Sequence, residues 1–95
     1  MDNYEYEKES ELSEKVKDLN RARISLVEEL NAIIWYDARA YATENESLKK
    51  VLNHNKFDEY EHASRLLEWL RRNDTKFEDS LKEFLFSDID LGSED

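Results

Sequence analysis

Residues 46–72 read ESLKKVLNHNKFDEYEHASRLLEWLRR. In this stretch Leu48, Leu52, Asn55, Glu59, His62, Leu66 and Trp69 recur at steps of four and three, the repeat of one helix face. Val51, Ala63 and Leu70 flank that seam. Two positions break its apolar rule. Glu59 and His62 stand where the pattern calls for Leu, and at a spacing of three they project side by side. Arg71 and Arg72 suit the negative end of the helix dipole, and Asn73 reads as a left-handed stop.

Upstream, Thr43-Glu44-Asn45-Glu46 marks a break. Thr43 and Glu46 have capping-box spacing, and Asn45 is a rival N-cap. Before it, residues 11–42 carry a second helical stripe: Leu12, Val16, Leu19, Leu26 and Leu30 with Arg23 in the gap, continued by Ile33, Ile34 and Tyr41. The row Ala22, Leu26, Glu29, Ile33, Tyr36 is also apolar except for its acid. Downstream, Thr75 and Glu78 repeat the capping-box spacing and open a short third helix over 75–86, with Phe77, Leu81, Phe84 and Leu85 on one face. Residues 1–10 are expected as a flexible acidic arm in which Tyr4 and Tyr6 are free to dock, 11–86 as the folded domain, and 87–95 as a flexible acidic tail.

Composition agrees with an all-α chain. Among 95 residues there is no Pro, and the single Gly is Gly92; strands and tight turns usually need one or both. Charged residues make up 40% and hydrophobic ones 39%, a mixture suited to amphipathic helices. The formal net charge of -10 repels phosphate backbones and argues against nucleic acid as a partner. The absence of Cys removes disulfides, thiolate metal sites and Cys nucleophiles together. Residues 1–9 lack the apolar core of a secretory signal, and the longest apolar run, Ala32–Tyr36, is far too short for a bilayer. No membrane partner and a cytoplasmic location are the expectation.

Two long helices joined by a short link form an antiparallel hairpin. A hairpin half-covers each apolar stripe, and pairing two hairpins into a four-helix bundle covers both. With the turn near residue 44, Glu29 lies about 15 residues before it and Glu59 about 15 after it, so the two are level. A buried, unpaired carboxylate is costly. Either Glu59 and His62 share a hydrogen bond, or the seam is partly exposed, or a metal compensates. Di-iron carboxylate bundles use one Glu from each of two helices and Glu-x-x-His from each of the other two. This chain offers Glu29 plus Glu59-x-x-His62, half of such a set. A dimer would bring four carboxylates and two imidazoles to two Fe²⁺ ions, a donor set suited to iron or manganese. Tyr36 either bonds a ligand carboxylate or packs at the interface; Trp35 reads as interface packing; Glu28 either draws cations inward or is a surface charge. His54, Asp58 and Glu61, at steps of four and three, form either a solvated face or an outer cation site.

At these residues the sequence resembles the encapsulated ferritins. The matching stretches are Val27-Glu28-Glu29-Leu30, Trp35-Tyr36-Asp37, His54-Asn55, Glu59-x-x-His62-Ala63, Leu67-Glu68-Trp69-Leu70-Arg71-Arg72 and Phe84-Leu85-Phe86. The resemblance implies a two-helix protomer with a short C-terminal helix, dimerising into a ferritin-like bundle. It also implies a ferroxidase centre at the dimer interface and five dimers in a ring, a decamer. Carried over, the iron ligands are Glu29, Glu59 and His62 from both chains, with two irons per dimer. Trp35 and Tyr36 lie near the centre, and Glu28 and Asn31 near the iron-access position; members often carry an acid where this chain has Asn31. His54, Asp58 and Glu61 correspond to an outer group for a divalent cation such as Ca²⁺. The family is cargo of encapsulin shells, directed by a C-terminal peptide of apolar-Gly-Ser-Leu character that Leu91-Gly92-Ser93-Glu94-Asp95 matches in part.

The expected function is therefore Fe²⁺ oxidation by O₂ or peroxide, with ferric product passed to an encapsulin compartment because a small bundle has no cavity for mineral. Three other readings use the same residues: a rubrerythrin-like peroxide consumer, a metal carrier without turnover, and a non-catalytic helical oligomer in which Glu59 and His62 only hydrogen-bond.

Overall fold

The computed structural model describes residues 12–93. Three helices follow in order: α1 Glu14–Ala42, α2 Glu46–Asn73 and α3 Thr75–Phe84. The described residues contain no strand, and none of their helices is long and apolar enough to cross a membrane.

The helix ends are set by side-chain caps, and several differ from the sequence expectation. α1 begins at Glu14 rather than near residue 11, because Ser13 Oγ accepts the Val16 N–H (3.2 Å). At the turn Asn45, not Thr43, is the N-cap of α2; its Oδ1 accepts the Leu48 N–H (2.9 Å). Thr43 instead closes α1 through its N–H to Arg39 O (3.1 Å), two residues before the N-cap of α2. Asn73 is not a left-handed stop: it ends α2 in helical geometry, with its Nδ2 on Trp69 O (2.8 Å). Asp74 then serves both as C-cap of α2 and N-cap of α3, displacing Thr75 from the expected capping box.

The left-handed position comes later. α3 ends at Phe84 rather than 86, Leu85 is extended, and Phe86 adopts φ 57. That conformation is uncommon for a bulky residue. Beyond it, residues 87–93 make local turn bonds, among them Gly92 N–H to Asp90 Oδ1 (3.0 Å). The expected arm at 1–10 and the final Glu94-Asp95 lie outside the described residues.

α1 and α2 pack as an antiparallel hairpin. Cross-links tie it near the turn, where Lys56 Nζ meets Asp37 Oδ1 (3.0 Å), and at the base, where Arg23 Nη2 meets Asp74 Oδ2 (3.0 Å). Among the described residues, the buried apolar positions are Ala22, Ala40, Ala63 and Leu70, of which Leu70 is the most enclosed. Small side chains on both helices let the backbones approach closely, but they make no substantial core.

The rest of the apolar surface lies on two open flanks. Helices advance about 100° per residue, so positions sort by their rotation from the buried Ala22–Ala40 line of α1 and from Ala63 of α2. One flank carries Glu29 on α1 and Val51, His62 and Trp69 on α2. The other carries Val16, Val27, Leu30, Ile34 and Tyr41 on α1 and Phe57 and Tyr60 on α2; all seven are exposed, Ile34 at 62% and Tyr41 at 91%. Contiguous apolar surface of this kind marks association.

Candidate metal centre

The first flank holds the chemistry. Glu29 projects from the middle of α1, and Glu59 and His62 project together from the middle of α2 because i and i+3 are neighbours on a helix. The antiparallel register brings the three to one point. His62 Nδ1 lies 3.5 Å from Glu29 Oε2 and 3.4 Å from Glu59 Oε2. One ligand atom from each residue falls within 4.8 Å of the other two, and no other group of His, Asp and Glu among the described residues converges in this way.

Those spacings exceed those of hydrogen bonds and are compatible with a ligand set. A charge-assisted N–H···O bond is about 2.7–2.9 Å long; both contacts of His62 are longer. Glu29 Oε2 is buried and has no hydrogen-bond partner at all. Two ligands on one cation, each about 2.1 Å from it, stand roughly 3–4 Å apart, the interval found here. The donor set is two carboxylates and one imidazole, with no Lys or Arg ion-paired to either carboxylate among the described residues. Its chemistry and its orphaned oxygen both fit a divalent cation.

Burial shows where the set is open. The Glu29 and Glu59 side chains are 25% and 18% exposed, whereas His62 is 51% exposed. The carboxylates face into the hairpin seam and the imidazole stands at its rim.

The other sequence candidates separate. Tyr36, two turns after Glu29 on the same side of α1, is half-buried, as is Asn31; Trp35 and Glu28 are exposed. His54 Nε2 and Asp58 Oδ2 come within 3.7 Å of each other on the outside of α2. Glu61 does not join them, because Arg65 one turn on holds its carboxylate. The described residues bring no further His, Asp or Glu to the central group, so the protomer's part of the set is the part already legible in the sequence.

Comparison with known proteins gives one consistent picture. The profile of the EncFtn-like family matches residues 4–88. A ferritin-like protein of Thermotoga maritima is 46% identical over 83 residues, which cover 87% of this chain and 73% of that protein. An encapsulated ferritin-like protein of Rhodospirillum rubrum is 44% identical over 77 residues, covering 81% of this chain but 55% of that protein. Among solved structures, a protein of Nitrosomonas europaea superposes with a TM-score of 0.89 at 42% identity, over 96% of this chain and all of that one.

Proposed function

This chain belongs to the EncFtn-like family, and on that premise we propose that it is a ferroxidase whose di-iron centre is completed by a twofold mate. The observation that carries the reading is the convergence of Glu29, Glu59 and His62 on an open apolar flank, with Glu29 Oε2 buried and unbonded. A hairpin offers three ligands, too few to enclose two irons. A second hairpin across the same flank adds three more and buries Val51 and Trp69, both now exposed.

Fe²⁺ is the substrate. Two ferrous ions give one electron each; O₂ takes the pair with two protons to become hydrogen peroxide, or peroxide takes it with two protons to become two waters. The chain's own groups position the ions. Glu29 and Glu59 supply negative charge from the dry side of the seam. His62 turns Nδ1 inward, so that nitrogen must be unprotonated to bind. Half-buried Tyr36 stands two turns along the same side of α1 as Glu29, and in the assembled bundle its hydroxyl would hydrogen-bond a ligand carboxylate. Glu28, at the exposed neighbouring position, draws cations toward the seam beside Asn31, and Trp35 covers the flank. The outer group enters this reading as His54 and Asp58 alone, since Glu61 is engaged by Arg65.

The second flank supports further association, dimer to dimer, with five dimers closing a ring. The oxidised iron leaves a bundle that has no room for mineral. The R. rubrum relative is named as encapsulated, which supports an enclosing shell as the container; the proposed container is an encapsulin compartment in the cytoplasm.

The test is anaerobic loading with Fe²⁺ followed by O₂ or peroxide, read as ferric absorbance, oxidant consumption and metal per chain. Glu59→Ala and His62→Ala should reduce oxidation to the uncatalysed rate with helicity retained. Iron bound without oxidant consumption, or oxidation unchanged in both variants, would sink the proposal.

A further inference from the structure

The base of the hairpin carries charged groups that the iron chemistry does not use. Asp74 is the only residue between α2 and α3. It is extended (φ -129, ψ 99), and it does three jobs at once. Its N–H bonds Leu70 O (2.8 Å), its carbonyl accepts the Glu78 N–H (2.9 Å), and its Oδ1 accepts the Phe77 N–H (3.2 Å). The remaining carboxylate oxygen, Oδ2, takes Arg23 Nη2 from α1 at 3.0 Å. Arg23 is steadied in turn by Asn20 Oδ1 (2.9 Å). A second strut runs alongside. Arg71 grips Glu68 with two bonds of 2.7 Å within α2 and extends Nη1 to Glu78 Oε2 on α3 (3.3 Å).

Apolar packing does little to hold α3. None of its residues is fully buried. An open groove of about 500 Å³ remains where Phe77 and Ser80 face Leu26, Val27 and Leu70. A helix of 10 residues is marginal by itself, so its pose depends on the contacts at its first turn.

We propose that α3 is a latched flap: the Arg23–Asp74 contact, braced by Arg71–Glu78, fixes its pose. Releasing Arg23 lets α3 swing about Asp74, widening the groove and carrying the exposed Phe86 and Leu91 with it. The ion pair ties α1 to the joint itself, so a change in α1 at Arg23 is transmitted to α3 without passing through the metal ligands. The inference stands whether or not the iron reading holds, because its readout is geometric.

The absence of native Cys allows a clean test. Nitroxides at Lys50→Cys on α2 and Asp79→Cys on α3, diluted with unlabelled chain, report the hairpin-to-flap distance by pulsed electron resonance. The otherwise unaltered chain should give a single narrow distribution. Arg23→Gln removes the latch cation. Asp74→Asn removes the charge but keeps a side chain that caps well. Both should broaden the distribution and add a second maximum, with the helix signal in circular dichroism unchanged. An unaltered distribution in either variant overturns the latch. Loss of helix content in step with the broadening overturns it too, since α3 would then be melting rather than swinging.

Discussion

Glu29 Oε2 is buried without a hydrogen bond, 3.5 Å from an imidazole nitrogen. An unsatisfied buried acceptor is destabilising by about 1–3 kcal/mol, so the protein without metal carries a strained position at the proposed iron site. Glu29→Leu should therefore raise the thermal stability of the chelator-treated protein, by about 1–2 kcal/mol on that principle, while removing iron oxidation. Calorimetry with and without iron checks both halves, and a destabilised apo variant would deny that the carboxylate is strained. In the sequence, Glu29 stood out only as an acid in an apolar row. Periodicity could flag it but could not measure its distance to residues thirty positions away.

The helices show how local chemistry decides boundaries. Asn45 caps α2 because its side chain reaches the Leu48 N–H while Thr43 is still bonded to α1. Asn45→Ala should lower stability by about 1 kcal/mol, read as a shift in the denaturation midpoint.

At the far end of α2, Glu68 is pulled down to about 2, first by its hydrogen bond to Arg71 and then by that to Arg72. Asp74 is lowered chiefly by the Phe77 N–H and then by Arg23, and Glu78 chiefly by Lys82. A carboxylate with a depressed folded pKa contributes stability above its ordinary value near 4.5 and loses it as pH falls through the folded value. The Glu68–Arg71 and Glu68–Arg72 pairs at the end of α2 should thus stay intact at pH 4 and loosen on the way to about 2. The side-chain carboxyl shift of Glu68, followed by NMR, should have its midpoint near 2. A midpoint at the ordinary value would show that the Arg71 and Arg72 contacts do not persist in solution. The sequence offered Thr75 as this corner's cap by spacing alone. Asp74 is the cap because its Oδ1 reaches the Phe77 N–H, and Arg23, from a distant part of the chain, takes its second oxygen.

For the whole molecule, two apolar flanks on a hairpin with so few buried side chains are the surfaces that the proposed assembly would cover. The flanks make separable predictions. Trp69→Glu, on the flank with His62, should prevent pairing and abolish iron oxidation together. Ile34→Glu, on the opposite flank, should stop assembly at a smaller species that still oxidises iron. Light scattering alongside the oxidation assay distinguishes them. If both variants lose activity equally, the two flanks are not independent.

Helix periodicity, the breaks near residues 44 and 74, and the side-by-side projection of Glu59 and His62 follow from the order of residues alone, because they depend on contacts within one turn. The approach of Glu29 to His62 and the capture of Asp74 by Arg23 belong to the tertiary structure. Each depends on the register of α1 against α2, which the turn geometry and the close contact at Ala22, Ala40 and Ala63 set together. Counting residues from the turn sets Glu29 and Glu59 level, but the distances between them and their neighbours come only from that packing.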